Sequence, residues 1–162
     1  MIPYLPDGVY ADLRTASNMR FQLQSELTRI QNRINRWFSI YFPEYRTVYG
    51  KPDAISGMMV LKQAPLPEDI LTLGVEGINK IWRDAKLRAV GKKRAQTLIT
   101  AAEHSVGRKE GAISARLEIR MLLEDYESRS ERLQEVMTLI EELVKQIPMA
   151  EKLLEIKGVG IK

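Results

Sequence analysis

The sequence predicts an all-α fold: two long heptad helices of antiparallel type flanking an insert of short helices. Three observations predict it. Ala112, Ala115, Ile119, Leu122, Tyr126, Arg129, Leu133, Val136, Ile140, Leu143 and Ile147 step three and four residues apart for about five heptads. Leu13, Ala16, Arg20, Leu23, Leu27, Ile30, Ile34, Trp37 and Tyr41 repeat the pattern near the N-terminus. Alternation of β-branched residues never lasts more than a few positions, so no strand is expected.

The first long helix is expected over 8–42, with Asp7 as its N-cap and Pro43 as its stop. Its seam is broken once by Arg20, as the later seam is by Arg129, and a buried arginine is tolerable only against an acid or where the seam opens. Residues 43–52 read as a turn region. The insert, 52–107, opens with Asp53 capping a short helix that runs through about Gln63. Pro67-Glu68-Asp69 starts the next, because proline fits the first turn and acids complement the positive helix end. Gly74 ends that helix, Val75 to Leu87 forms another with Ile78, Ile81 and Trp82 on one side, and Gly91 to His104 a third. Gly107 and Gly111 bracket the crossing into the second long helix, 109–147, which spans about 50 Å at 1.5 Å per residue. Residues 1–147 thus form one helical coiled-coil region. A narrow seam needs a second helix to cover it, from the same chain or another copy, so Leu23, Leu27, Ile30, Ile34, Ile119, Leu122, Tyr126, Leu133, Val136, Ile140 and Leu143 are the expected homo-oligomer interface.

At 162 residues and 44% hydrophobic content, the chain can build one ordinary domain. It has no cysteine, which excludes disulfides and thiolate metal sites and favours an intracellular, cytoplasmic setting. Its apolar runs fall far short of a membrane span. The net charge of +4 is unevenly spread. The tightest cluster, Lys80 to Arg94, sets Lys80, Arg83, Lys86, Arg88, Lys92, Lys93 and Arg94 against Asp84 alone. Clustering of that kind is the footprint of a polyanion partner, and it is also what a solvated face looks like. On the first long helix Arg29, Arg33 and Arg36 share a face with Gln31, Asn32 and Asn35 nearby, a stripe suited to phosphate and sugar contacts or simply to solubility.

Catalytic patterns fail one by one. His104 is the only histidine, Glu124, Asp125 and Glu127 sit on one helical stretch without converging partners, and Ser17 and Ser105 lie in no nucleophile motif. Gly91-Lys92-Lys93 lacks the earlier glycine of a phosphate loop. Two stretches do carry a binding mechanism. Leu153 to Gly160 looks like the first helix and hairpin of a helix-hairpin-helix motif, with Lys157, Gly158 and Gly160 at the tight turn whose backbone N–H groups meet phosphate. Val90 to Ile99 resembles the second half of such a motif, with Gly91 opening a helix whose first turn carries Lys92, Lys93 and Arg94.

Leu66-Pro67-Glu68-Asp69-Ile70-Leu71-Thr72-Leu73-Gly74-Val75-Glu76-Gly77-Ile78, then Gly91-Lys92-Lys93-Arg94-Ala95, then the long heptad helix ending in Leu153-Leu154-Glu155-Ile156-Lys157-Gly158-Val159-Gly160, resemble in order and spacing the DEDD-type transposases of bacterial insertion sequences, the IS one-ten group. Leu27 to Ile34 and Tyr41 to Glu44 resemble the same family. The resemblance implies the middle coiled-coil region without the catalytic domains. The family's last two metal-binding acids lie upstream of the segment matching Tyr4-Leu5-Pro6, and its serine beyond Lys162, so no catalytic residue carries over. Residues 148–162 would be the truncated start of the helix-hairpin-helix and transposase domain. No cofactor is expected in this chain, since divalent metal belongs to the family's RuvC-like domain. The expected function is a nucleic-acid-associated dimerisation and assembly region for DNA transposition and recombination, with DNA or guide RNA as partner. The alternative is a stand-alone coiled-coil scaffold for protein–protein interaction. Whether the chain is itself part of an enzyme stays open.

Overall fold

In a computed structural model the chain forms α1 (Tyr4–Tyr41), α2 (Tyr45–Val48), α3 (Ile55–Gln63), α4 (Pro67–Asp84), α5 (Lys92–Glu103) and α6 (Ala112–Ile156). It describes residues 4–51, 54–87 and 91–156, with side chains from 8 to 147 within them. Among these residues the structure is all-helical, with no strand. The chain divides into two compact units, Met1–Thr28 with Glu127–Lys162, and Arg29–Tyr126, to each of which α1 and α6 contribute.

In the unit Arg29–Tyr126, the apolar face of α1 supplies Ile30, Ile34, Trp37 and Phe38 to a core completed by Ile119 and Leu122 of α6 and by the short helices. The Trp37 indole N–H donates to the Ala115 carbonyl at 2.9 Å, and the Trp82 N–H to the Ser56 carbonyl at 3.0 Å, so both large rings are buried with their polar edge satisfied. Phe38, Tyr45 and Tyr49 stack in succession, with centroids 4.3 and 5.2 Å apart, and this fixes α2 against the end of α1. Pro67 occupies the first turn of α4, and the Asp69 carboxylate accepts the Leu66 backbone N–H at 3.2 Å, as the sequence of that start requires. Gly74 takes φ 71 and ψ 173 inside α4, so two helical segments meet there at a kink in place of a full stop.

The crossing from α5 to α6 is fastened to the end of α1. The Arg108 N–H donates to the Ile40 carbonyl at 2.8 Å, satisfying a C-terminal acceptor of α1. A Cβ at Gly107 would overlap the Tyr41 carbonyl, so only glycine permits that approach. Glu44 holds the same segment by accepting from the Ser105 hydroxyl at 2.6 Å and the Val106 N–H at 2.9 Å. Partial burial raises the Glu44 pKa, and the Ser105 and Val106 hydrogen bonds outweigh it, leaving the carboxyl below its usual value.

In the other unit, Ala16 of α1 is buried with Val136 and Leu143 of α6, and Leu13, Leu23 and Ile140 pack around them. Arg129, the break in the later seam, donates from Nε to Glu26 at 2.8 Å. Arg20 is exposed.

Several expected boundaries are corrected. Helix α1 begins at Tyr4 in place of residue 8, so Asp7 lies inside it and is not its N-cap. The turn region after Pro43 holds the short helix α2. The last segment of α4 ends at Asp84, three residues before Leu87. Helix α6 starts at Ala112, not at 109, and runs past Pro148 to Ile156. Proline removes one N–H bond but holds a helical φ, so the remaining ladder carries the helix through. Residues 148–156 therefore continue α6. The proposed cap Asp53 lies outside the described residues.

Candidate nucleic-acid interface

Helix α5 begins where the sequence places it, with Gly91 at its N-cap and Lys92, Lys93 and Arg94 in its first turn. No acid occupies that turn, so the cations oppose the helix dipole. Lys92 and Lys93 are exposed. Lys92 has only a 3.9 Å ion pair with Glu76, with both side chains more than three-quarters in solvent, which leaves its charge nearly free.

Arg94 behaves differently from its neighbours. Its Nη1 donates to the Val48 carbonyl at 2.8 Å, and its guanidinium lies 5.0 Å from the centroid of the Tyr49 ring. Burial raises the Tyr49 pKa, with the Ser56 hydrogen bond and the Arg94 charge pulling the other way. Arg94 thus joins α5 to α2 while remaining exposed.

Lys93 stands on an open groove of about 650 Å³ that also takes in Thr47, Gln96, Thr97, Thr100 and His104. Lys93, Thr97 and Thr100 on α5 and His104 at its C-cap recur at helical spacing, so the polar row is visible in the sequence. The Thr97 hydroxyl donates to the Lys93 carbonyl at 2.9 Å and the His104 Nδ1 lies 2.9 Å from the Thr100 carbonyl, so His104 caps its own helix. Among the described residues no cluster of His, Cys, Asp or Glu is placed to hold a metal ion.

Arg29, Arg33 and Arg36 are all exposed on α1, one face as their spacing requires, while the neighbouring Gln31 amide donates to the Tyr126 hydroxyl at 3.1 Å. Arg83 and Lys86 are exposed at the end of α4. Lys86 has φ 61, and its N–H and that of Leu87 bond back to Arg83 and Trp82, which is a Schellman closure with lysine at the position glycine favours. Arg88, Lys157, Gly158 and Gly160 lie outside the described residues.

Protein-family models, curated proteins and solved structures yield no match to this chain.

The residues of the expected oligomer seam are placed within the single chain as follows. Ile30, Ile34, Ile119 and Leu122 are at most 5% exposed, and Val136 and Leu143 are buried with Ala16, because the chain's own helices cover them. Leu23 and Ile140 pack on that second cluster, and Leu27, Tyr126 and Leu133 are half-buried. What sequence reasoning missed is Arg116. Its guanidinium forks onto Asp69 at 2.9 and 3.0 Å and reaches Glu68 at 2.7 Å, tying α6 to the start of α4. The partners lie about fifty positions apart, which no local pattern reveals.

Proposed function

We propose that this chain is a nucleic-acid-associated dimerisation and assembly region of an insertion-sequence transposase, acting in DNA transposition and recombination in the cytoplasm. The observation that carries the reading is the set of exposed cations: Arg29, Arg33 and Arg36 on α1, Arg83 in the last turn of α4 and Lys86 just beyond it, and Lys92 and Lys93 at the start of α5. Exposed cations with at most a weak, solvent-exposed acidic partner are the side chains that release counterions from a phosphate backbone. DNA or guide RNA is the partner, and phosphate contacts fix position without reading sequence.

The long helices supply the frame as an antiparallel hairpin. Within Arg29–Tyr126, Trp37 meets Ala115 and Gln31 meets Tyr126. Within the other unit, Glu26 meets Arg129 and Ala16 packs with Val136 and Leu143. In each unit the earlier residue on α1 goes with the later one on α6, which supports opposed directions. The scaffold reading draws on one observation, a row of exposed apolar side chains on α6. The readings separate on binding to duplex DNA and structured RNA by fluorescence anisotropy. Lys92→Ala/Lys93→Ala should weaken binding at least tenfold with an unchanged melting temperature, and equal affinity in both proteins would refute the nucleic-acid role of α5.

A further inference from the structure

The crossing from α5 to α6 helps to line a cavity within the unit Arg29–Tyr126. Its apolar wall is Tyr41 at the end of α1, Leu66, Pro67 and Leu71 at the start of α4, and Ala102 near the end of α5. Leu71 is 43% exposed, so part of that wall faces solvent. The cavity measures about 190 Å³. A space of about 150 Å³ takes one benzene-sized ring, and sites for drug-sized ligands begin at about 300 Å³. A single planar ring is therefore the body that fits.

Charged groups complete the lining. Arg108 and Lys109 are both exposed, and among the described residues neither makes an ion pair. Of the two acids, Glu68 is taken by Arg116 at 2.7 Å, whereas Glu103 has no cation partner among the described residues. The backbone beneath the two cations is fastened before any ligand arrives: Gly107 abuts the Tyr41 carbonyl, and the Arg108 N–H donates to the Ile40 carbonyl at 2.8 Å. The Tyr41 ring is likewise held, 5.2 Å from the Trp37 ring. A site set in advance loses less free energy to ordering when it is filled.

We propose that this cavity takes one unstacked pyrimidine base of a single-stranded nucleic acid. A nucleotide joins a planar ring to a phosphate, so one ligand answers both the apolar wall and the cations. The base packs against Tyr41, Pro67 and Leu71, and Arg108 and Lys109 meet the adjoining phosphates. Glu103 accepts from an amino N–H, a donor that cytosine carries and a phenyl side chain lacks. The exposed cations on α1, α4 and α5 meet phosphate alone, whereas this site holds a base as well.

This inference rests on the nucleic-acid half of the proposed function, and its test separates base from backbone. Affinity of the full chain would be measured by fluorescence anisotropy for a short single strand of cytosine nucleotides and for an abasic strand of the same length and charge. The base-bearing strand should bind at least about tenfold tighter. Leu71→Trp fills the cavity from a partly exposed position, and it should remove that preference while the affinity for the abasic strand and the circular dichroism spectrum stay unchanged. Arg108→Ala/Lys109→Ala should weaken binding of both strands. Equal affinity of the wild-type chain for the two strands overturns the pocket without recourse to any variant. So does a preference that survives Leu71→Trp, or affinities that Arg108→Ala/Lys109→Ala leaves untouched. Those outcomes leave the wider nucleic-acid reading standing, as does binding to duplex DNA without either strand, which also overturns the pocket. A chain that binds neither strand nor duplex DNA overturns both.

Discussion

Lys86 holds a left-handed backbone that costs an L residue free energy which glycine avoids, and it does so with its side chain in solvent. Lys86→Gly should raise stability by about 0.5–1 kcal/mol while weakening nucleic-acid binding, measured by urea denaturation and by anisotropy on the same preparation. Binding that stays unchanged would make Lys86 a neutral strain. Arg94 predicts the reverse pattern. Arg94→Ala removes the bond to Val48 and the contact with Tyr49, so it should lower stability by about 1–2 kcal/mol, whereas Lys92→Ala should leave it within about 0.5 kcal/mol. Glu44 carries a pH dependence. Its pKa in the fold lies below the ordinary 4.5, so its stabilising effect is complete above that value and is lost as pH falls through the lower folded value. Glu44→Gln should flatten the acid limb of the melting temperature as pH falls below 4.5, and an unchanged profile there would show that Glu44 carries none of that limb.

Among the elements, the segment between α5 and α6 depends most on a single residue. Gly107→Ala would push a methyl group into the Tyr41 carbonyl and displace the Arg108 N–H from Ile40, so a loss of about 1–3 kcal/mol is expected in thermal unfolding. The helices themselves were largely legible. The 3-4 spacing picked out Ile30, Ile34, Trp37, Ile119 and Leu122, all now buried, and Pro67 and Gly91 marked the starts of α4 and α5. Those signals are local, and the physics that reads them is local too. Harder to read were features decided over long separations. Arg129 breaks the seam harmlessly because Glu26 lies opposite, 103 positions away, and Arg94 bonds to the Val48 carbonyl, 46 positions away, and lies over the Tyr49 ring. The extent of α6 is not legible from the heptad pattern, which ends before Pro148, while the helix itself continues through that proline. Whether the apolar seam served the chain or a partner was likewise undecidable from spacing, since both need the same pattern.

For the whole molecule, the charge pattern joins function to fold. Residues 1–108 carry sixteen basic and ten acidic side chains, and residues 109–162 nine and eleven. The basic excess therefore sits on the first long helix and the insert, and the acids gather on the second long helix, a division suited to the proposed polyanion contact. The described residues include no helix long and apolar enough to cross a membrane. The central claim is that the exposed cations contact phosphates, and counterion release tests it most directly. The affinity of the full chain for a short DNA duplex would be measured across a salt series, beside a variant with Arg29, Arg33, Arg36, Lys92 and Lys93 changed to alanine. If these cations touch phosphates, the wild-type logarithm of affinity falls steeply and linearly with the logarithm of salt concentration, and each contacting cation removed reduces the slope by about 0.9. A shallow slope shared by both proteins would contradict the nucleic-acid role.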